Sequence, residues 1–402
     1  LEKGPNFIEV IPTILNRFRK YKIGVISDIE KAFLQIGVRE QDRDFLRFMW
    51  YDRENRDHIK IYRHRRVVFG VTSSPFLLGA TLNHHLDNAS GNFDNVAKIL
   101  RKSFYVDNCV TSFETEEQLQ KFIVESKILL PSAHFNLRGW QSNILLNPGK
   151  FSELESQPDN FETMVLGLIW NLKDDCLSCK INCQKNEGIK IPRCLNLSSN
   201  RIKQITLQVF CDASKKAYAA CVFLRVEYEE NVFVKLIQAK ARVAPLKDIS
   251  IPRLELLSCT LGTRLAASVK NDLNLPDVRI YYLTDSMTAL AWIQRTRDWG
   301  IFVFNRVKEI RNLSDVSSWE HVPSEKNFAD ILSRGCCPQQ LIYLRWWEGP
   351  SWLSENPVQC PRSKQVPDEK TINLELRKSV LVNTAKRELR SLTGTVNISH
   401  LT

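Results

Sequence analysis

The feature that most constrains this chain is a strand that stops on a carboxylate. Ile205, Leu207 and Val209 alternate with polar residues and run into Phe210-Cys211-Asp212-Ala213-Ser214. Alternation of this kind marks a half-buried strand. It delivers Asp212 to an open edge, and the small residues that follow leave room for a ligand. Alone, such an Asp is an ordinary turn or cap residue. Three later acids have matching settings. Glu255 lies in the first turn of a helix opened by Pro252, with Leu254, Leu257, Leu261 and Leu265 at helical spacing. Asp285 ends the apolar run Ile280-Tyr281-Tyr282-Leu283-Thr284. Asp330 stands near the start of a short helix in Asn327-Phe328-Ala329-Asp330-Ile331-Leu332-Ser333-Arg334. Asn327 and Arg334 read either as a helix cap and a surface cation or as neighbours of a substrate phosphate.

Four acids from two strand ends and two helices repel one another unless cations offset the charge. An all-oxygen donor set suits Mg²⁺. Two such ions about 3.5–4 Å apart activate a water and stabilise the leaving oxygen of a phosphodiester. The expected site is therefore Asp212, Glu255, Asp285 and Asp330 around two Mg²⁺.

A chain of 402 residues has room for two to four domains. Its 56 Lys and Arg against 45 Asp and Glu leave a net charge of +11, which suits a polyanionic partner. No apolar run approaches the roughly 20 residues of a membrane span, and no signal-peptide pattern opens the chain. The expectation is an intracellular protein, cytoplasmic or nuclear, neither secreted nor membrane-bound. Leu1 in place of Met suggests a fragment or a processed piece. Eleven Cys, an odd number, suggest a reducing compartment. Cys176, Cys179, Cys183 and Cys194 have the look of a zinc cluster. However, Leu177, Cys179, Ile181 and Cys183 alternate like one face of a strand and no His supports the spacing, so the strand reading is preferred.

In the first half, Lys22 to Asp28 is a second strand ending in Asp, followed by a helical turn over 29–36. Residues 45–70 read as a hairpin pair mixing aromatic and basic side chains, among them Phe45, Phe48, Trp50, Tyr62, Arg65 and Arg66. This is either an amphipathic sheet with a charged face or a surface that grips phosphates and stacks bases. Pro75 opens a helix that runs to about Asp87. Ser103 to Val110 reads as a hairpin with Asp107-Asn108 at its tip. Thr115 and Gln118 have capping-box spacing at the start of a helix over 115–130. Residues 131–200 mix short strands with Pro, Asn and Ser. After Asp212, strands are expected over 218–226 and 232–240, then helix 253–270, strand 279–284, helices 286–294 and 302–312, and strand 318–322, which contains His321. Trp346, Trp347 and Trp352 form an aromatic knot expected to pack in a core. The tail 361–402 is polar and basic, with one weak helical pattern.

The ordered set Asp212, Glu255, Asp285, Asp330 resembles ribonuclease H. Asp28 together with Tyr105-Val106-Asp107 at a hairpin tip resembles the palm of a reverse transcriptase. Ser27-Asp28-Ile29-Glu30-Lys31-Ala32-Phe33, Phe69-Gly70-Val71-Thr72-Ser73-Ser74-Pro75-Phe76, Asn136-Leu137-Arg138-Gly139-Trp140 and Trp346-Trp347-Glu348-Gly349-Pro350 are similar to the BEL/Pao class of LTR retrotransposon polyproteins. The similarity spans about residues 20–355. It implies a multidomain α+β and α/β fold: a reverse transcriptase palm, an antiparallel sheet with helices, then a ribonuclease H-like mixed-sheet α/β domain. The implied boundaries are 1–130 for partial fingers and palm, 131–200 for thumb and connection, 205–340 for the ribonuclease H-like domain and 341–402 for a linker towards an integrase.

The resemblance further implies an RNA-directed DNA polymerase and an RNA–DNA hybrid ribonuclease, each with two Mg²⁺. The polymerase ions would be held by Asp28 and Asp107. Phe33 would pack on the incoming sugar; Tyr105, Arg65, Arg66 and Arg334 are further candidates for nucleic-acid contact, the arginines on the residue patterns given above. Implied partners are template–primer, RNA–DNA hybrid and further segments of the same polyprotein, protease and integrase, whose motifs this sequence does not show. Asn108 stands where the family has a second Asp, and only 27 residues precede Asp28. Both features lead us to expect an impaired polymerase beside a working nuclease. The alternative is a decayed or domesticated copy that binds nucleic acid without catalysis.

Overall fold

The computed structural model describes residues 4–52, 57–89, 91–144, 161–179, 189–198, 201–355, 361 and 366–377. Helix α1 (Ile11–Lys20) opens with Pro12 in its first turn and leads into strand β1 (Ile23–Ile29). Strands β2 (Arg47–Tyr51) and β3 (Ile59–Arg63) form a separate hairpin. Helices α2 (Ser74–Asp87) and α3 (Asp94–Ser103) follow, then β4 (Phe104–Tyr105), β5 (Asn108–Phe113), α4 (Glu116–Leu129) and β6 (Leu137–Ser142). The sheet order is β4-β5-β1-β6, with antiparallel pairing, so β1 is central and Asp28 near its end is flanked on both sides. Apolar residues of α2, α3 and α4 bury this sheet in one core with Val25, Ile29 and Trp140. Thr115 caps α4 by accepting from Gln118 N, and Gln118 Oε1 reaches back to Glu114 N, so the expected capping pair forms with its second arm shifted by one residue.

Four short strands come next: β7 (Glu162–Val165), β8 (Leu168–Asn171), β9 (Cys176–Ser178) and β10 (Lys190–Pro192), in the order β10-β9-β8-β7. No helix is found among the described residues between 134 and 201, where a thumb was expected. Cys176 begins β9 and Cys179 lies just past it. The face read from Ile181 and Cys183 falls outside the described residues.

The second half holds β11 (Ile202–Ala213), β12 (Ala217–Tyr228), β13 (Val232–Val243), α5 (Ile251–Asp272), β14 (Arg279–Thr284), α6 (Met287–Gln294), α7 (Ile301–Leu313), β15 (Trp319–His321), α8 (Asp330–Arg334), α9 (Pro338–Tyr343) and α10 (Glu369–Asn373). The sheet order is β13-β12-β11-β14-β15. It is antiparallel on one side of β11 and parallel on the other. Leu207, Val209 and Cys211 of β11 face the core shared with α5, α6 and α7. Phe210 points to the other face, where Trp346, Trp352 and Leu353 cover it. Trp346 and Trp352 therefore pack in the core as expected, and Trp347 is half-buried. The segment expected to be a linker is in part integral: Ile372 is fully buried in the main core and its carbonyl accepts from Trp292 Nε1. No described helix is long and apolar enough to cross a membrane.

Candidate functional site

Strands β11 and β14 run parallel and in register up to Cys211 opposite Thr284. The next residue of each is an Asp, so Asp212 and Asp285 leave neighbouring strand ends on the same edge. In sheets of this kind, ligands sit beyond the carboxyl ends of the parallel strands. Helix α5 brings Glu255 to them from one face. It lies close to β11 because Gly262 has no side chain: a Cβ there would stand 2.4 Å from Cys211 Sγ. One ligand atom from each of Asp212, Glu255 and Asp285 lies within 4.8 Å of the others. Asp212 is 3% exposed and Glu255 7%.

Two neutral donors hold this cluster. Asn327 Nδ2 donates to Asp285 Oδ1 at 3.0 Å, to Cys211 O at 2.9 Å and to Asp212 Oδ1 at 3.5 Å. The Ser333 hydroxyl donates to Asp212 Oδ2. His321 Nε2 pairs with the Asp285 carbonyl at 3.1 Å, which leaves its buried Nδ1 without a partner. The electrostatics are unfavourable for three charges. Burial pushes Asp212 up to about 7, with Asp285 and Asp330 adding to the rise against the Ser333 hydrogen bond. Burial also raises Glu255 well above the usual carboxylate range, and Asp212 and Asp285 raise it further. Glu255 Oε2 is buried with no hydrogen-bond partner. An all-oxygen set with an orphaned carboxylate oxygen fits a hard divalent cation.

The structure brings together three of the four expected acids. Asp330 is the first residue of α8, and its carboxylate takes Arg334 Nε at 2.5 Å, one turn on. It stands outside the group of three, although its charge is felt at Asp212. Arg334 is exposed. Asn327 and Ser333 are the positions sequence reasoning underused. Asn327 lies three residues before Asp330 and Ser333 three after it, a spacing that could have marked both as neighbours of one site.

The palm acids form a thinner site. Asp28 faces Asn108 across β1–β5 and Arg138 across β1–β6. The Asp107 carbonyl accepts from Ile29 N at 3.0 Å, which ties the hairpin to the end of β1. The turn is Val106-Asp107, with Val106 at φ 57°, and Asn108 already begins β5. The expected Asp107-Asn108 tip is therefore shifted by one residue. Asn108 Nδ2 donates to Asp107 Oδ1 at 2.9 Å. Burial raises Asp28 and Asp107 raises it further, while Arg138 opposes both. Phe33 is 5% exposed and its ring meets that of Phe69 edge-on at 4.7 Å, so it is covered rather than open to a sugar. Tyr105 is half-buried against the cluster that holds Val110 and Trp170. Arg65 and Arg66 are exposed, and Arg66 donates to Gln35 O at 3.1 Å.

Residues 3–139 match the family model for reverse transcriptase (RNA-dependent DNA polymerase), and residues 171–286 match the Pao retrotransposon-like RNaseH-like domain. The fold and these matches define a reverse transcriptase unit followed by a ribonuclease H-like unit. Each match covers about a third of the chain, and together they are consistent with a fragment of a BEL/Pao-type retrotransposon polyprotein for reverse transcription. The solved foamy viral protease-reverse transcriptase in complex with dsDNA is similar at 14% identity, over 81% of this chain and 71% of that one, with a TM-score of 0.41. The same foamy viral protein in complex with an RNA/DNA hybrid is similar at 14% identity, over 94% of this chain and 48% of that one, with a TM-score of 0.38. The match thus spans about half the length of the second structure. No curated protein matches the chain.

Proposed function

We propose that the ribonuclease H-like unit hydrolyses the RNA strand of an RNA–DNA hybrid. Asp212, Glu255 and Asp285 hold divalent ions of the Mg²⁺ class, and Asp330 joins them when Arg334 turns to a phosphate. The observation that carries this reading is the convergence of three carboxylates within 4.8 Å, two of them almost fully buried. Two bound ions would supply Lewis-acid stabilisation and a more acidic water. The chain's own part is positional. Asn327 and Ser333 fix the Asp212 and Asp285 oxygens, α5 presents Glu255, and the buried floor excludes bulk water. The water oxygen bonds to phosphorus as the P–O3′ bond breaks. The water's proton passes to solvent, and the leaving 3′-oxygen takes a proton from solvent to end as a hydroxyl. The exposed arginines and aromatics of the β2–β3 hairpin are read as part of the nucleic-acid surface. A boundary near residue 200 between the palm–connection part and the nuclease part follows from the same reading.

The polymerase half is read as weakened. Asp28 and Asp107 supply two carboxylates, and Asn108 spends its amide on Asp107 instead of adding a third charge. That hydrogen bond favours a second reading for this half alone, in which it binds template–primer with little extension. The test is primer extension beside hybrid cleavage, with wild type and Asp212→Asn. Mg²⁺-dependent cleavage that the substitution abolishes, with little extension, supports the proposal. Cleavage unchanged by Asp212→Asn contradicts it.

A further inference from the structure

Where α1, the β7–β10 sheet and β13 meet, the molecule gathers more positive charge than it neutralises. Arg193 is fully buried and clamps Asp175, Nε to Oδ1 at 2.6 Å and Nη2 to Oδ2 at 2.9 Å. Its remaining donors go to the carbonyls of Phe18, Tyr21 and Lys22. Arg19 is buried beside it. It reaches only carbonyl oxygens, Leu236 O at 2.9 Å and Arg193 O at 3.4 Å, and its Nη2 has no acceptor. Lys235 Nζ donates to Cys194 O at 3.0 Å. Burial and the neighbouring Arg193 pull Arg19 down to about 10, and burial with Arg19 lowers Lys235. A charge taken out of water is costly unless an opposite charge meets it. Among the described residues, only Arg193 of these three cations is paired with a carboxylate.

A cleft opens over this charge as two adjoining cavities of about 430 and 470 Å³, which share Lys22, Cys194, Asn196, Tyr228 and Phe233. Lys20 and Lys22 stand on its rim, and Lys235 lines its floor. One wall is aromatic: Tyr228 and Phe233 meet edge-on at 5.5 Å, and Phe233 is 47% exposed. The acids in reach are committed or few. Glu114 is 3.9 Å from Lys22 and accepts from the Ser198 hydroxyl at 2.9 Å, Asp175 belongs to Arg193, and Asp174 lies at the edge. Among the described residues, three lysines and three carboxylates line the cleft, and Arg19 and Arg193 are buried next to its lining residue Cys194, which tips the balance to positive charge.

We propose that this cleft binds the phosphate of a nucleotide or of a nucleic-acid strand, with Lys22 and Lys235 on the phosphate oxygens and the Phe233 ring beneath the base. Phosphate supplies the missing negative charge, and an exposed aromatic ring beside lysines is the chemistry that holds a base next to its phosphate. The site lies apart from both acidic clusters and does not rest on the proposed nuclease function.

The test uses the full chain with inorganic tripolyphosphate, ATP and a labelled oligonucleotide as probes, in wild type, K22Q and K235Q. Lys22 is an exposed rim residue, so K22Q keeps the fold, which its melting temperature in phosphate-free buffer verifies. Tripolyphosphate binds wild type, and each substitution weakens binding about tenfold, the worth of one charge-assisted hydrogen bond. If the natural occupant is a strand, tripolyphosphate competes with the oligonucleotide. The slope of log affinity against log salt then falls by about 1 for each lysine removed. If it is a free nucleotide, ATP binds as tightly to protein already saturated with oligonucleotide. K22Q and wild type with equal affinity for all three probes would overturn the site.

Discussion

Asp212 has two opposed neighbourhoods. Burial and the nearby acids favour its protonated form, while the Ser333 hydroxyl favours its charged form, and burial wins. The folded chain keeps this proton up to about pH 7, whereas the unfolded chain releases it near 3.8. Between those values the folded state binds more protons. The stabilisation from Asp212 is therefore complete below about pH 4, declines as pH rises and is lost above about 7. With divalent ions chelated, the melting temperature of wild type falls from pH 5 to pH 8 more steeply than that of Asp212→Asn. Equal slopes would show that Asp212 does not titrate there. Added Mg²⁺ reverses the trend, since a cation competes with the proton and binds more tightly at higher pH. Asn327 is the second residue to test. Its amide touches two acids and the strand end, so Asn327→Ala removes their shared donor. The expected loss is about 10–100-fold in divalent-ion affinity, read by calorimetry. An unchanged affinity with a lower melting temperature would reduce Asn327 to a structural role.

At the scale of elements, the site depends on how closely α5 approaches β11. Gly262 permits that approach. Gly262→Ala sets a methyl 2.4 Å from Cys211 Sγ and 3.1 Å from Val209 Cγ1. The expected cost is about 1–3 kcal/mol of overpacking, measured by urea unfolding, together with weaker metal binding as Glu255 shifts. Much of this geometry was legible beforehand. Alternating runs ending in Asp212 and Asp285 marked two strands, and leucines at helical spacing marked α5. Parallel pairing then forces the two acids together. What the pattern does not carry is reach. Asp330 was legible as the opener of a short helix, but its capture by Arg334 depends on a side-chain choice one turn on, which spacing alone does not decide. The hairpin tip was misplaced because Val106, a β-branched residue, takes a left-handed conformation that such residues rarely adopt. The weak helical pattern of the tail gave no sign that Ile372 would fill a core slot.

At the scale of the molecule, two described segments stitch the fold together, α1 and the one that holds α10. The last described segment lies across the ribonuclease H-like unit: Arg253 clamps Glu375 at 2.6 and 3.0 Å, Arg295 meets Glu369 at 2.7 Å, and Ile372 is buried. Ile372→Ala is expected to cost about 2–5 kcal/mol, and a chain cut after residue 366 loses at least as much, seen as a lower denaturation midpoint. No change on truncation would mean that the segment only rests on the surface. Helix α1 joins the palm to the ribonuclease H-like unit, with Asn16 Nδ2 at 3.0 Å and Arg17 Nη2 at 3.2 Å from the Asp272 carboxylate. Helix α1 thus links the two units, and the proposed function turns on whether the acids of the ribonuclease H-like unit hold metal. The most direct measurement is titration of Mn²⁺, an EPR-visible stand-in for Mg²⁺, into wild type and Asp212→Asn. Wild type is expected to bind tightly, with competition by Mg²⁺, and the variant to lose at least tenfold. Wild type that binds no divalent ion more tightly than the variant would contradict it.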